Sequence, residues 1–413
     1  MSSHRGRREF LQTLGGGAAA TTAALGAGQG QPGGGRRLRV GLIGCGVRGG
    51  RHAQGITDLR EAGEPVDLVA VCDAYQPHLE RFAAKYSAKP YRKSRDLANA
   101  PDIDGVFIAT PDRVHVYNAL EAVRAGKDIY CEKPFTHWAQ FDKLKELVKT
   151  VREHKAVVQV GAQPTSDPGW VTAANMIKEG AIGKPVHAQT GYFRKGDWGE
   201  AGMVIDDPNA QPGPSLDWEA FEADAPKRPF TPSRFFQWRL YMDYSGGPIT
   251  DVYPHAVTRV IKALGVGFPR RVVAVGGKYF YERGGREVPD TADLLIEYPG
   301  GPTIAVLGTI ANDVGVDTVI RGTDGTFTLP KSGGLFFDTE PGNKKPRHIE
   351  INPNRFEQEH FRNFLQCMRT RQKPVVDIEL GYVTQVAMIM AMRSYVEGKT
   401  AWFDSATEQI RMS

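Results

Sequence analysis

The sequence predicts an α/β protein: a Rossmann-type doubly wound parallel sheet, then an α+β domain with a large, mostly antiparallel open sheet. Three observations carry this. An apolar run runs straight into a glycine-rich turn at residues 38–49, strand-like and helix-like stretches alternate from Leu38 to Gly161, and after Gly161 the rhythm becomes strand-dominated. With 413 residues the chain is too long for one ordinary core, which suits two domains. We place them at 37–162 and 163–413, with 1–36 ahead of both.

The leading segment reads as an export signal. Arg7-Arg8-Glu9-Phe10-Leu11 resembles the twin-arginine core, and an Ala-, Gly- and Thr-rich stretch from Thr13 to Ala27 follows it. Gly28 to Gly35 is then a flexible linker. The expected location is the periplasm.

Leu38, Val40, Leu42 and Ile43 form an apolar run of the kind a buried parallel strand needs. It leads into Gly44-Cys45-Gly46-Val47-Arg48-Gly49. In a dinucleotide site the first glycine makes a tight turn, the second lets backbone approach the pyrophosphate, and the third lets the helix pack on the strand. The helix N-terminus adds free N–H groups and a partial positive charge. All six residues are therefore expected at a cofactor. A lone match among 47 glycines is weak, but a second apolar run, Val66 to Cys72, ends in Asp73. An acidic residue there accepts hydrogen bonds from the adenosine ribose and repels a 2′-phosphate, which favours NAD and leaves NADP as the alternative.

Further along, helix-like periods occur at Pro77–Tyr86, His115–Ala125 and Phe141–His154, and strand-like runs at Gly105–Ala109, Asp128–Cys131 and Ala156–Val160. In the second half a helix is expected near Val171–Glu179 and a strand near Pro185–Phe193. Residues 196–233 form a long loop with Trp198 and Trp218, and loops of that length are usually functional. Strands are expected at Arg271–Tyr281, Ala292–Tyr298, Thr303–Thr309, Asp317–Arg321 and Thr326–Leu329. Helices near Arg355–Arg371 and Gly381–Glu397 close the chain.

Composition excludes several classes. Net charge is only +5, with no basic stripe interleaved with aromatics, so nucleic-acid binding has no support. No apolar run approaches membrane-spanning length. Cys45, Cys72, Cys131 and Cys367 are widely spaced and read as buried free thiols, and no clustered His/Cys motif suggests a metal.

Three constellations carry chemistry. Thr110-Pro111-Asp112 ends the fourth strand, at the sheet edge where ligands bind; the alternative is a turn that merely starts the next helix. Glu132-Lys133-Pro134 ends the fifth strand. There Lys133 can hold a substrate hydroxyl and stabilise the developing alkoxide, or the charges can form a surface ion pair. Finally, Gly246-Gly247-Pro248-Ile249-Thr250-Asp251-Val252-Tyr253-Pro254-His255 places Asp251 and His255 on one face if they share a helix. Histidine suits proton removal from an alcohol, and a neighbouring carboxylate would orient and tune it. A capping aspartate and a packed histidine explain the pair as well, and Pro254 disturbs helix regularity.

These residues resemble the glucose–fructose oxidoreductase/inositol dehydrogenase/MocA family. The resemblance rests on Glu132-Lys133-Pro134, Thr110-Pro111, His115…Ala119-Leu120…Ala125-Gly126-Lys127, Gly322-Thr323-Asp324-Gly325 and Asn363-Phe364…Cys367…Pro374, and it covers roughly residues 38 to 405. It implies that Lys133 is catalytic, that His255 is the general acid/base and that Asp251 contacts substrate and histidine. It also implies that Thr110, Pro111, His115, Glu132, Lys133 and Gln163 lie at the cofactor. Two departures stand out: Thr258 where many relatives have a further aspartate, and Pro164 after Gln163 where many have arginine. Tyr192, Arg194, Asp197, Trp198, Trp238 and Arg239 are the candidate sugar-facing residues, since aromatic faces and charged hydrogen-bonders suit a polyol; core and loop packing explains them equally.

The function expected is NAD(P)-dependent hydride transfer at a CH–OH carbon of a sugar, polyol or sugar derivative. The alternative is an NAD-dependent glycoside hydrolase that oxidises its sugar transiently and recycles a tightly held cofactor. Export favours tight binding under either reading, because free NAD is scarce outside the cytoplasm and the twin-arginine route carries folded, loaded proteins. By resemblance, a homo-oligomer (dimer or tetramer) is expected.

Overall fold

The computed structural model describes residues 35–197, 202–330, 335–338, 347–349 and 356–413. The export signal expected over residues 1 to about 30 and the site role expected of Trp198 fall outside the described residues.

The first unit alternates β1 (Leu38–Ile43), α1 (Val47–Glu61), β2 (Val66–Cys72), α2 (Gln76–Tyr86), β3 (Lys89–Tyr91), α3 (Ser94–Ala98), β4 (Gly105–Ile108), α4 (Asp112–Arg124), β5 (Asp128–Glu132), α5 (Phe141–His154) and β6 (Val158–Gly161). The six strands are parallel in the order β3-β2-β1-β4-β5-β6. β4, β5 and β6 are buried at every residue, as a sheet with helices on both faces demands. β3 and α3 escaped the sequence reading because a three-residue edge strand containing Pro90 carries almost no periodicity.

The second unit runs α6 (Pro168–Lys178), β7 (Pro185–Lys195), α7 (Trp218–Glu222), α8 (Pro232–Phe236), α9 (Pro248–Asp251), α10 (Tyr253–Leu264), β8 (Arg271–Gly277), β9 (Thr291–Glu297), β10 (Thr303–Thr309), β11 (Ala311–Asn312), β12 (Thr318–Gly322), β13 (Thr326–Leu329), β14 (Leu335–Asp338), β15 (Arg347–Ile349), α11 (Phe356–Thr370), α12 (Ile378–Glu397), β16 (Ala401–Asp404) and β17 (Gln409–Met412). The sheet order is β15-β14-β13-β12-β7-β10-β9-β8-β16-β17, with β11 on β7, and β7 with β10 is its one parallel pairing among the described residues. The first strand after β7 ends at Gly277 rather than the expected Tyr281. The chain closes on the hairpin β16–β17 rather than on a helix. Four-residue strands are too short for alternation to show.

Part of the expected 196–233 loop is ordered by aromatic packing. Phe221, Phe235, Phe236, Trp238, Leu240, Tyr241 and Tyr244 form a separate small core with Tyr75 of the first unit. Backbone bonds from Gln76 N–H to the Ser215 carbonyl (2.8 Å) and from Asp217 N–H to the Ala74 carbonyl (2.9 Å) fasten this segment beside the end of β2. α11 lies on the first sheet, where Phe361 and Phe364 meet Phe107 and Tyr130 edge-on. All four cysteines are buried and free.

Candidate active site

The β1–α1 turn gives each glycine a distinct steric role. Gly44 sits at φ +97°, and a Cβ there would strike the Ala109 carbonyl. At Gly49 a Cβ would lie 1.9 Å from the Gly44 carbonyl oxygen, so only glycine lets α1 pack this closely on the turn. At Gly46 a Cβ would meet nothing within 4 Å, which leaves open space beside an uncapped helix N-terminus with unsatisfied N–H groups. Val47 points outward, 79% exposed. Such a cradle fits a dinucleotide pyrophosphate. Gly49→Ala should cost about 1–3 kcal/mol in denaturant unfolding from overpacking. Gly46→Ala should stay within about 0.5 kcal/mol of the parent yet lose dinucleotide affinity in a titration.

Asp73 closes the same turn. Its Oδ2 accepts the Cys45 N–H at 2.6 Å and its Oδ1 the Tyr75 N–H at 2.8 Å, so the carboxylate is fixed at the end of β2. Burial pushes its pKa up, while His78 and these N–H groups pull against that.

Behind the turn lies a charged network the sequence did not reveal. Glu132 Oε1 accepts from Arg48 Nε (2.8 Å), His52 Nε2 (2.8 Å) and Gln163 Nε2 (2.7 Å), while Arg48 Nη1 reaches Glu357 at 2.7 Å. Arg48, Glu132 and Gln163, expected at the cofactor, thus commit these side-chain groups to one another. They tie α1, β5, the loop after β6 and α11 together. His52 was missed, although its i,i+4 spacing from Arg48 marks a shared helix face. Burial alone would raise the Glu132 carboxyl, but Arg48 and His52 outweigh it and hold the pKa well below the usual range. A depressed carboxyl stabilises the fold above its unfolded pKa of about 4.3 and loses that contribution as pH falls through the folded value. Glu132→Gln should cost about 3–5 kcal/mol at neutral pH, with the gap to the parent narrowing in acid denaturation series.

At the carboxyl end of β5, Lys133 turns to the second unit. Its Nζ donates to Asp251 Oδ1 at 2.8 Å and to the Asp251 carbonyl. Arg239 Nε donates to the same Oδ1 at 3.2 Å, and its guanidinium lies 4.2 Å over the Trp238 ring, which fixes its direction. Burial would raise Asp251, but Lys133, then Arg239, hold its pKa far below the usual range. An ammonium has three donors, and these two bonds use two of them.

The helix carrying Asp251 breaks before His255. α9 ends at Asp251, Val252 lies between, and α10 begins at Tyr253 with Pro254 in its first turn. The expectation of one continuous helix is therefore corrected: the Asp251 carboxylate is hydrogen-bonded by Lys133 and Arg239, and it acts on His255 through its charge, which favours the protonated ring. His255 is half-buried, its Nδ1 sealed without a hydrogen-bond partner. Burial, reinforced by the Lys133 charge, holds its pKa down to about 3, so the imidazole is neutral and keeps a lone pair to accept a proton.

The other expected residues divide. Thr110 Oγ1 donates to Asn118 at 3.1 Å, and Pro111 is the N-cap of α4. His115 has its ring nitrogens 2.8 and 2.7 Å from the Thr110 and Pro134 carbonyls, so it clasps the two edge loops together. Tyr192 and Arg194 alternate on the face of β7 that also buries Ala188 and Thr190, and the Arg194 charge acts on Asp251. Asp197 is held by buried Arg286. Asp112 was noticed only as part of a turn, yet it is 2% exposed beside the Lys133 cluster. Among the described residues no His/Cys/Asp/Glu group could hold a metal, and no helix is long and apolar enough to cross a membrane.

Residues 38–162 match the sequence model of an oxidoreductase family's NAD-binding Rossmann fold, and residues 220–403 match that family's C-terminal alpha/beta domain. Inositol 2-dehydrogenase of Salmonella paratyphi B is 32% identical over 151 residues, 36% of this chain and 44% of the relative. The chain thus spans under half the length of the curated relatives it matches. Levoglucosan dehydrogenase in complex with NADH superposes with a TM-score of 0.68 at 20% identity, over 91% of this chain and 98% of that one. Aldose-aldose oxidoreductase from Caulobacter crescentus, complexed with glycerol, gives 0.67 at 19% identity, over 89% and 100%. These likenesses establish the fold.

Proposed function

The chain belongs to the glucose–fructose oxidoreductase/inositol dehydrogenase/MocA family of oxidoreductases, and from that premise we propose that it oxidises a CH–OH carbon of a sugar or polyol. The observation that carries the reading is the Lys133–Asp251–Arg239 cluster beside a neutral His255, at the carboxyl edge of a sheet whose first turn is shaped for a dinucleotide.

Gly44 to Gly49 would hold the pyrophosphate and Asp73 the adenosine ribose, which favours NAD over NADP. When bound, the dinucleotide supplies the hydride acceptor. The residues do the rest. The free N–H of Lys133 holds the substrate oxygen and stabilises the negative charge that develops on it. Asp251 keeps that ammonium aimed, since two of its donors end there. His255 takes the hydroxyl proton on its free lone pair. Arg239 and Arg194 bring fixed charges to the same carboxylate, and a few charged donors fixed in this way suit a polyol.

The proposal includes export and assembly. The Arg7-Arg8 segment supports the twin-arginine route, and with it a cofactor carried out bound to the folded protein. Val275 and Leu295, 61% and 55% exposed on the large sheet, support self-association through that face.

The test incubates purified protein with NAD and a panel of polyols, aldoses and glycosides while following reduced nicotinamide. Reduction driven by free sugars or polyols supports the reading. Release of aglycone from glycosides without net reduction would replace it with the hydrolase reading.

A further inference from the structure

Asp112 is the first residue of α4, directly beyond β4, and Arg113 beside it does not compensate it. The Arg113 guanidinium is spent on Asp224, 2.7 Å from Nε, and on His137, 2.9 Å from Nη1. The Oδ2 of Asp112 is buried with no hydrogen-bond partner. The charged and titratable groups that act on it come from three other elements: Arg239 ahead of α9, Asp251 on α9, and Lys133 with the Cys131 thiol at the end of β5. Arg239 and Lys133 are already bound to Asp251. A buried carboxyl with one oxygen left unpartnered is far more costly as an anion than as an acid. Burial accordingly pushes Asp112 up to about 8, although the Arg239 charge pulls it down.

Its place in the sheet gives this meaning. The strand order reverses between β1 and β4, and a dinucleotide lies across the crevice at that point. With the pyrophosphate at β1 and the adenosine ribose at Asp73 on β2, the nicotinamide half falls to the β4–β5 side, where Asp112 and Lys133 stand.

We propose that Asp112 is a proton-holding residue whose ionisation follows the charge of the bound cofactor: a carboxylate with the cationic oxidised form, a neutral acid with the reduced form. The inference rests on the dinucleotide reading above. It also completes the proton balance. Oxidation breaks a C–H bond, whose electron pair leaves as hydride to the oxidised cofactor, and an O–H bond, whose electrons form the carbonyl; one proton stays behind. His255 accepts that proton but cannot keep it at neutral pH, whereas Asp112 regains one as the cofactor's positive charge disappears.

Titration calorimetry of the full protein with NAD or NADH, in two buffers of different ionisation enthalpy near neutral pH, counts the protons released on binding. The parent should release about one proton more with NAD than with NADH. In Asp112→Asn both forms should still bind while that difference falls to near zero, and Asp112→Glu should restore it. Equal release from the parent, or an unchanged difference in Asp112→Asn, overturns the role of Asp112 and leaves the cofactor reading standing. Failure of the parent, first freed of any bound nicotinamide as judged by its absorbance, to bind either form overturns both.

Discussion

Lys133→Met should lower kcat for sugar or polyol oxidation by about 10²–10³-fold while NAD still binds. Methionine keeps the apolar stem and removes only the ammonium. With it go the N–H that stabilises the developing alkoxide and one of the two cations on Asp251, whose carboxyl is buried. Arg239 remains on that carboxylate, so the fold should survive, with a stability loss readable by denaturation and separable from the kinetic loss. Lys133→Arg should not rescue turnover: a planar guanidinium cannot reproduce the paired bonds to the Asp251 carboxylate and carbonyl while keeping a donor for substrate. Steady-state kinetics with calorimetric NAD binding checks both statements. A kcat within about threefold of the parent would remove Lys133 from the chemistry.

His255→Ala should lower kcat by about 10²–10⁴-fold with NAD affinity unchanged, because a general base is lost while the dinucleotide cradle stands apart from it. The pH dependence gives a sharper signature. A base must be unprotonated, and the His255 pKa is held down to about 3, so the oxidation rate should show no acid limb near the ordinary histidine value of about 6.5. Protonation of His255 reduces oxidation only in much stronger acid, where loss of the Glu132 contribution already weakens the fold. A limb near 6.5 that disappears in His255→Ala would mean that the site is solvated in the working enzyme.

How much of this was readable beforehand depends on sequence distance. The parallel sheet showed because buried strands are continuous apolar runs, and the glycine turn showed because each glycine answers a separate steric demand over six residues. The Lys133–Asp251 contact joins positions 118 apart, so each residue could be suspected but not their pairing. The i,i+4 argument for Asp251 and His255 assumed one continuous helix, whereas the helix breaks at Val252 and the carboxylate takes its hydrogen bonds from Lys133 and Arg239. Arg48 and Glu132 are charged residues at a sheet edge, where ligand contacts and internal ion pairs look alike; only their distances separate the two. Asp112 was hidden in a tripeptide that also reads as a helix start, because burial of an unpartnered carboxyl oxygen has no sequence signature.

The most direct test of the central claim uses a polyol or sugar that the protein turns over, deuterated at the reacting CH–OH carbon, followed by mass spectrometry of the cofactor recovered from the protein. Hydride transfer at the Lys133–His255 site predicts that the deuterium passes intact to the nicotinamide ring and that Lys133→Met and His255→Ala slow its appearance. Deuterium lost to water, or kept in the sugar while product forms, would contradict it.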